Sequence, residues 1–265
     1  MTTSGRKFFS ATSIKSVWED IISELCSQLK NARGNLGILY VSEDLLPNLE
    51  NILNRLRIET DCNDWLGAAG YGVLSNVGEF YGETSATALL LDLPKGSFKI
   101  FSGDENTGSK IRETEKSWLE QAYMPLAITH ADPRQPTTPQ AIENLAQETN
   151  SYLIGGLTAA SGGSPHVSDQ SGKAVSGALV SPEMCEVLTG LSQGCSPISE
   201  IYTITKSQQN IIFELDGRPA FDILLATIGE EFQHDFQRMG GTVFIAFPIA
   251  GSDKADYTVR NLVGL

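Results

Sequence analysis

A degenerate internal repeat constrains this fold more than any other feature of the sequence. A strand-like segment enters a glycine-rich turn and a second strand-like segment leaves it, over residues 67–94 and again over residues 155–182. Gly67 and Pro94 in the first copy match Gly155 and Pro182 in the second, each pair 88 positions apart. Such a repeat predicts a duplicated unit within one domain and not two independent domains.

Helical and strand-like patterns alternate before the first copy of the repeat. Apolar residues at spacings of three and four predict an amphipathic helix over residues 13–32. A buried strand over residues 36–41, a second helix capped by Ser42 and a strand over residues 65–69 follow. The pattern predicts an α+β fold in which mixed, layered sheets pack against helices.

Similar signals continue along the rest of the chain. The apolar runs at residues 86–93 and 98–101 are separated by a short turn, which predicts antiparallel pairing between them. Thr137 and Thr138, followed by a proline, indicate the start of a helix, where the missing proline N–H does no harm. Further strands are predicted at residues 125–129, 152–157, 183–191, 198–205, 211–215 and 242–249.

Charge and cysteine content argue against several classes of protein. Asp and Glu outnumber Lys and Arg by 32 to 19, and the net charge of −13 disfavours binding to nucleic acid or to an anionic membrane surface. Four cysteines without a C-x-x-C pair suit a reducing compartment. The first residues lack the apolar stretch of a signal peptide, and no apolar run could span a bilayer. We therefore expect a cytoplasmic protein.

Sequence motifs for common cofactors are missing. The chain has no G-x-x-x-x-G-K-[ST] phosphate loop, no G-x-S-x-G nucleophile elbow and no H-E-x-x-H zinc helix. The string from Gly67 to Gly72 has its glycines in the wrong order for a dinucleotide-binding turn. The histidines lack the spacing of zinc ligands. We therefore expect neither a cofactor nor a metal.

Two polar candidates lie at the end of a predicted strand. His130 and Asp132 follow residues 125–129, and strand ends often face the ligand crevice in layered folds. Alternatively, Asp132 merely caps the turn at Pro133. His166 lies in a glycine-rich loop that either covers a pocket or is exposed to solvent, and His234 is expected at the surface of a charged helix.

The loop Gly194-Cys195-Ser196-Pro197 is a second candidate region. A thiol between Gly and Ser, near the backbone N–H groups of a turn, could be a reactive thiolate. As a nucleophile, Cys195 would need a base such as His130 or His166. The alternative is a small thiol buried in a turn.

Several short strings together resemble one protein family. They are WLGAAGYGV at residues 65–73, ADP at 131–133, YLIGGLTAAS at 152–161, SGALV at 176–180, QGCSPI at 193–198, LDGRPA at 215–220 and YTVRN at 257–261. Each string is short and rich in small residues, but their order and spacing over nearly the whole chain resemble the FIST family of sensory domains.

The resemblance implies a FIST N-terminal sensory domain over residues 1–250 and the beginning of a C-terminal FIST part over residues 251–265. It also implies a non-catalytic domain that senses a small ligand in intracellular signal transduction and acts on a signalling protein partner. Amino acids are among the ligands proposed for the family. Haem binding, as in family members that look like nitric-oxide sensors, is a variant of this interpretation.

We expect the ligand site near the glycine turns, where backbone N–H groups can hold a carboxylate such as that of an amino acid. The residues expected to form it are His130, Asp132, Gly155, Gly156, Gly194, Cys195 and Pro197. Two other interpretations stay open: a scaffold that recruits proteins through its acidic surface, and an enzyme that uses Cys195.

Overall fold

The computed structural model describes residues 8–167, 173–190, 194–228, 241–249 and 257–264, in two units divided after Leu188. The strands of the first unit are β1 (Phe8–Ile14), β2 (Leu36–Ser42), β3 (Trp65–Gly70), β4 (Gly72–Ser75), β5 (Gly78–Tyr81), β6 (Ser85–Leu91), β7 (Phe98–Gly103), β8 (Leu126–Ala131), β9 (Tyr152–Leu157) and β10 (Val175–Val180). Its helices are α1 (Trp18–Gln28), α2 (Leu49–Thr60), α3 (Thr107–Thr114), α4 (Lys116–Ala122) and α5 (Thr138–Thr149), with a 3-10 turn over Glu43–Asn48.

Two four-stranded sheets of identical topology dominate this unit. The first has the strand order β1-β6-β2-β3 and the second has the order β7-β10-β8-β9. In each sheet the first two pairings are antiparallel and the last one is parallel. The predicted duplication is therefore confirmed. It extends beyond the strand–turn–strand segment to two complete half-units, over residues 8–91 and 98–180.

Register relates the two half-units residue by residue. Leu39 lies opposite Gly67 in the first sheet, and Thr129 lies opposite Gly155 in the second. Residues of β2 therefore match residues of β8 that lie 90 positions later, and residues of β3 match residues of β9 that lie 88 positions later.

The core of the first unit has four layers. One buried apolar cluster joins α1 and α2 to the first sheet, and a second joins α3, α4 and α5 to the other sheet. A third cluster, built on Leu36, Leu66 and Ala178, joins the remaining faces of the two sheets. The order is therefore helices, sheet, sheet, helices, and the predicted α+β class is confirmed. In the described part of the chain, no helix is long and apolar enough to cross a membrane.

The beginning of the chain differs from the prediction. Residues 8–14 form β1, which pairs with β6 along its whole length, and the helix begins at Trp18 instead of residue 13. Phe9, Ala11 and Ser13 are more buried than their neighbours, which is the two-residue alternation of a strand with one covered face. The helical spacing that begins at Ile14 hid this alternation.

Two predicted strand features are wrong. Residues 86–93 do not pair with residues 98–101, because β6 is already bonded on both edges, to β1 and to β2, and β7 pairs with β10. Residues 183–190 form no strand. The chain instead turns after Ser181, whose carbonyl accepts bonds from the N–H groups of Met184 and Cys185.

The second unit contains antiparallel pairs and one helix among its described residues. Its elements are β11 (Ile204–Gln208), β12 (Ile211–Leu215), β13 (Arg218–Pro219), α6 (Ala220–Thr227), β14 (Phe244–Pro248) and β15 (Tyr257–Asn261). β11, β12 and β13 form one sheet and β14 pairs with β15. The strand predicted over residues 198–205 begins only at Ile204.

Candidate functional site

His130 lies between the two sheets, near the end of β8. Its Nε2 atom is 2.9 Å from the hydroxyl oxygen of Tyr40, and the two rings meet edge to face with centroids 5.5 Å apart. Tyr40 occupies the position in β2 that matches His130 in β8. The contact therefore joins the two half-units through equivalent residues.

Burial leaves one atom of His130 without a hydrogen bond. Its Nδ1 is buried and has no partner in the described structure. Burial, together with the nearby His166, lowers the pKa of His130 to about 4, so the imidazole is neutral near pH 7. A neutral imidazole has one donor and one acceptor nitrogen. Because Nε2 contacts Tyr40, Nδ1 is the atom available to a polar ligand.

His166 is buried, so the prediction that it is exposed to solvent is wrong. Its Nε2 is 3.0 Å from the carbonyl oxygen of Lys173 and its Nδ1 is 2.8 Å from the hydroxyl oxygen of Ser176. A carbonyl only accepts, so Nε2 carries the proton and Nδ1 accepts from Ser176. Burial also lowers the pKa of His166. Ser176 lies directly opposite His130 on β10, so the two neutral imidazoles share one sheet face.

Asp132 holds the adjacent loop in place. Its buried carboxylate accepts bonds of 2.9 and 3.0 Å from the guanidinium of Arg134, which also bonds to the carbonyls of Ser161 and Gly163. Burial raises the pKa of Asp132, but the hydrogen bonds and charge of Arg134 outweigh it, and the pKa is lower than usual. The backbone N–H of Arg134 also bonds to Asp132, so Asp132 does cap the turn at Pro133.

The loop over residues 158–167 continues from β9 and runs along the edge of β3. The N–H of Ala69 donates to Pro165 at 2.8 Å, and the N–H of Val167 donates to Gly67 at 3.0 Å. Glu43 accepts two further bonds from Ser161. These bonds fix the loop, and they explain why His166 points between the sheets.

Gly155 and Gly156 differ in whether a side chain would fit at each position. Gly155 has a φ of 139°, and a Cβ there would lie 1.8 Å from the carbonyl oxygen of Thr129. At Gly156 a Cβ would meet no atom within 4 Å. Gly156 lies directly opposite His130 on β9. Open space therefore adjoins the histidine on the sheet face toward which its ring points.

Gly194, Cys195 and Pro197 lie in the second unit, whereas the other four predicted site residues lie in the first. The carbonyl of Cys195 accepts a hydrogen bond from the hydroxyl of Tyr257 within that unit. Their assignment to the ligand site stays a prediction. His234 and the predicted boundary at residue 250 lie outside the described residues.

Tyr40, Arg134 and Ser176 were not predicted as site residues. Tyr40 could have been found by extending the repeat to β2 and β8, because it is the residue 90 positions before His130. Arg134 and Ser176 act through contacts that no sequence motif marks. Among the residues that the structure describes, no group of three or more metal-ligating side chains comes together.

Fold and site together define a duplicated α+β domain with a buried polar cluster between its two sheets. The family model of the FIST N domain matches residues 35–218, more than half of the chain. The chain therefore belongs to the FIST family, whose domains are sensory domains of signal transduction. A comparison with curated proteins finds no match to this sequence.

Proposed function

We propose that this chain is a sensory domain that binds a small polar ligand, such as an amino acid, at His130 between the two sheets. One observation carries the proposal: the buried Nδ1 atom of His130 lacks a partner in the described structure, and His130 lies opposite Gly156, where a Cβ would meet no atom within 4 Å. A buried polar atom without a hydrogen bond costs free energy, and a ligand that supplies the bond recovers it.

The chemistry of the site favours recognition by hydrogen bonds over recognition by charge. His130 is neutral near pH 7 because of its lowered pKa. If Tyr40 donates to Nε2, Nδ1 carries the proton and can donate to a carboxylate or carbonyl oxygen of the ligand. The guanidinium of Arg134 already binds Asp132 and two loop carbonyls. An amino-acid carboxylate bound to Nδ1–H fits these constraints.

The same contact offers a route to a signal. The hydrogen bond between Tyr40 and His130 connects the two half-units, and Tyr40 is partly exposed to solvent. A ligand that binds His130 competes with or reorients this bond, so it favours one arrangement of the half-units over another. A signalling protein that contacts both half-units would detect the difference.

A titration followed by imidazole ¹⁵N NMR tests the proposal. Common L-amino acids are added one at a time at millimolar concentration, and the His130 nitrogen signals are recorded. We expect at least one of them to shift the His130 nitrogens. The Gly156→Val variant fills the open space and should weaken that binding by about tenfold or more. Gly162→Val is the matched control, because Gly162 is also open and its φ is not positive.

Two results would count against the site. One is the absence of a His130 shift with every amino acid, and the other is equal binding by wild type and Gly156→Val. A native mass spectrum of the gently purified chain, compared with its denatured mass, then identifies any other molecule that co-purifies, haem included.

A further inference from the structure

The matching edges of β3 and β9 differ in what covers them. The edge of β3 is bonded to residues 165–167, which run antiparallel to it with His166 opposite Ala68. The loop offers the carbonyl of Pro165 and the N–H of Val167, and β3 offers the N–H of Ala69 and the carbonyl of Gly67. The protein thus contains one example of an extended segment added to this edge.

The equivalent groups on β9 are the carbonyl of Gly155 and the N–H of Leu157. The N–H groups of Tyr152 and Thr158 donate to carbonyls at positions 125 and 131, toward β8. Since alternate residues of a strand direct their N–H and C=O groups to opposite edges, those of Gly155 and Leu157 point away from β8. In the described structure no residue bonds to them.

The two edges also differ beside the matching glycines, Gly67 in β3 and Gly155 in β9, on the sheet face that packs against the helices. In the first half-unit Val167 is fully buried there and belongs to the apolar cluster around α1 and α2. In the second half-unit the same place is a groove of about 200 Å³, lined in part by Thr129, Ile142, Gly155 and Leu157. The groove has the position that a valine occupies in the other copy.

The edge of β9 is apolar and lacks the protection that edge strands normally have. Tyr152, Ile154 and Leu157 are 57%, 37% and 63% exposed, whereas Leu66, the match of Ile154 in β3, is 1% exposed. Residues 151–165 contain no charged side chain. Exposed edges are usually blunted by charge, proline or a bulge because they otherwise pair with other chains. An edge of this kind fits a strand partner.

We propose that the edge of β9 binds an extended segment of a partner protein, which adds as an antiparallel strand and places an aliphatic side chain in the groove beside Gly155. Val167 beside Gly67 is the template for this arrangement. Main-chain bonds to Gly155 and Leu157 give the affinity, and the groove gives the preference for a valine-sized residue. The net charge of −13 favours a basic or uncharged segment.

A peptide titration tests this docking site. The probe is an acetylated and amidated peptide that copies residues 162–167 (GGSPHV), with one lysine added at its C-terminus. In ¹H–¹⁵N spectra of the full chain we expect it to shift the amide signals of Leu153, Gly155 and Leu157. The same peptide with aspartate in place of valine should bind about tenfold more weakly or not at all.

Matched variants locate the binding. Leu157→Lys places a charge in the groove and should weaken binding about tenfold, whereas Ile58→Lys, at a 75% exposed position on α2, should leave it unchanged. No shift at β9, or shifts confined to Gly67–Ala69, would overturn the proposal. It would also be overturned if sedimentation shows a dimer that Leu157→Lys converts to monomer, because a second copy would then be the occupant.

Discussion

The edges of β3 and β9 belong to two copies of one unit, yet one is closed and the other is open. The segment that follows β3 forms the hairpin of β4 and β5, whereas the segment that follows β9 crosses to the first sheet and covers β3. A duplicated unit contains two such edges, but the described part of the chain contains one covering loop. The open edge therefore follows from the duplication itself.

A similar asymmetry is present between the sheets. Tyr40 and His130 occupy matching positions, but one is a phenol that reaches solvent and the other is a buried imidazole with a spare nitrogen. Duplication supplied the two positions, and in the described structure it is the second-half residue, His130, that has a buried nitrogen without a partner. The open edge lies on β9 and the unpartnered nitrogen belongs to His130 on the neighbouring strand β8, which is why we propose that recognition belongs to the second half-unit.

The largest expected effect tests whether the two halves are equivalent in backbone geometry. Gly67 and Gly155 have φ values of 140° and 139°, and at each a Cβ would lie 1.8 Å from a carbonyl oxygen of the neighbouring strand. Gly67→Ala and Gly155→Ala should each lower the free energy of unfolding by more than about 3 kcal/mol, through strain and overlap. Urea denaturation measures both.

Gly156→Ala is the control for these two variants. It lies at an open position without a positive φ, so its free energy of unfolding should stay within about 1 kcal/mol of the wild-type value. If Gly155→Ala were as mild as Gly156→Ala, the close approach of β9 to β8 would be wrong.

The second prediction concerns His130, which lies where the first half-unit has Tyr40. The pKa of His130 is about 4 in the folded state, against 6.5 for the unfolded chain. Between these values the unfolded state binds a proton that the folded state does not, so stability is full above pH 6.5 and decreases as the pH falls toward 4. The loss amounts to about 3 kcal/mol.

Unfolding free energies measured across this pH range in wild type and in His130→Asn check the prediction. The variant should lose the part of the pH dependence that His130 contributes and keep the part due to His166, whose pKa is also lowered. Identical pH profiles for the two proteins would contradict the buried, neutral state of His130.

A third pair of variants sharpens the contrast between the covered and the open edge. Val167→Ala removes two methyl groups from a fully buried position and should cost about 2 kcal/mol of unfolding free energy. Leu157→Ala, at the open edge, should cost less than about 0.5 kcal/mol. Thermal or urea unfolding of both variants gives the comparison. Equal costs would mean that the edge of β9 is covered in solution.

The sequence indicated most of the helices and strands of each half-unit, β1 excepted, but not the pairing between strands. Glycine spacing marked the repeat, and apolar spacing marked β2, β3, β8 and α5, because these features are local. Neither kind of spacing showed that β6 lies between β1 and β2, because strand pairing depends on contacts between residues that are distant in sequence. The short turn before Phe98 favoured a hairpin between β6 and β7. The actual partner of β7 is β10, at residues 175–180, too distant in sequence for a local pattern to indicate it.

The places of His130 and Asp132 in the fold were predictable from the sequence, whereas their contacts were not. His130 was correctly placed at a strand end, but its neighbour Tyr40 lies 90 residues away and is visible only once the repeat is extended. Asp132 is a loop anchor because of Arg134, two residues later, and that pairing depends on how the loop folds back. Whether Cys195 and its neighbours join the site stays a prediction.

Native-state hydrogen exchange at two backbone amides tests the central comparison most directly. Ala69 on β3 donates to Pro165, whereas Leu157, the matching residue on β9, has no acceptor in the described structure. We predict that in the free monomer the Ala69 amide exchanges slowly and the Leu157 amide exchanges at nearly its intrinsic rate. Equal protection of the two amides would show that both edges are closed and would contradict the account.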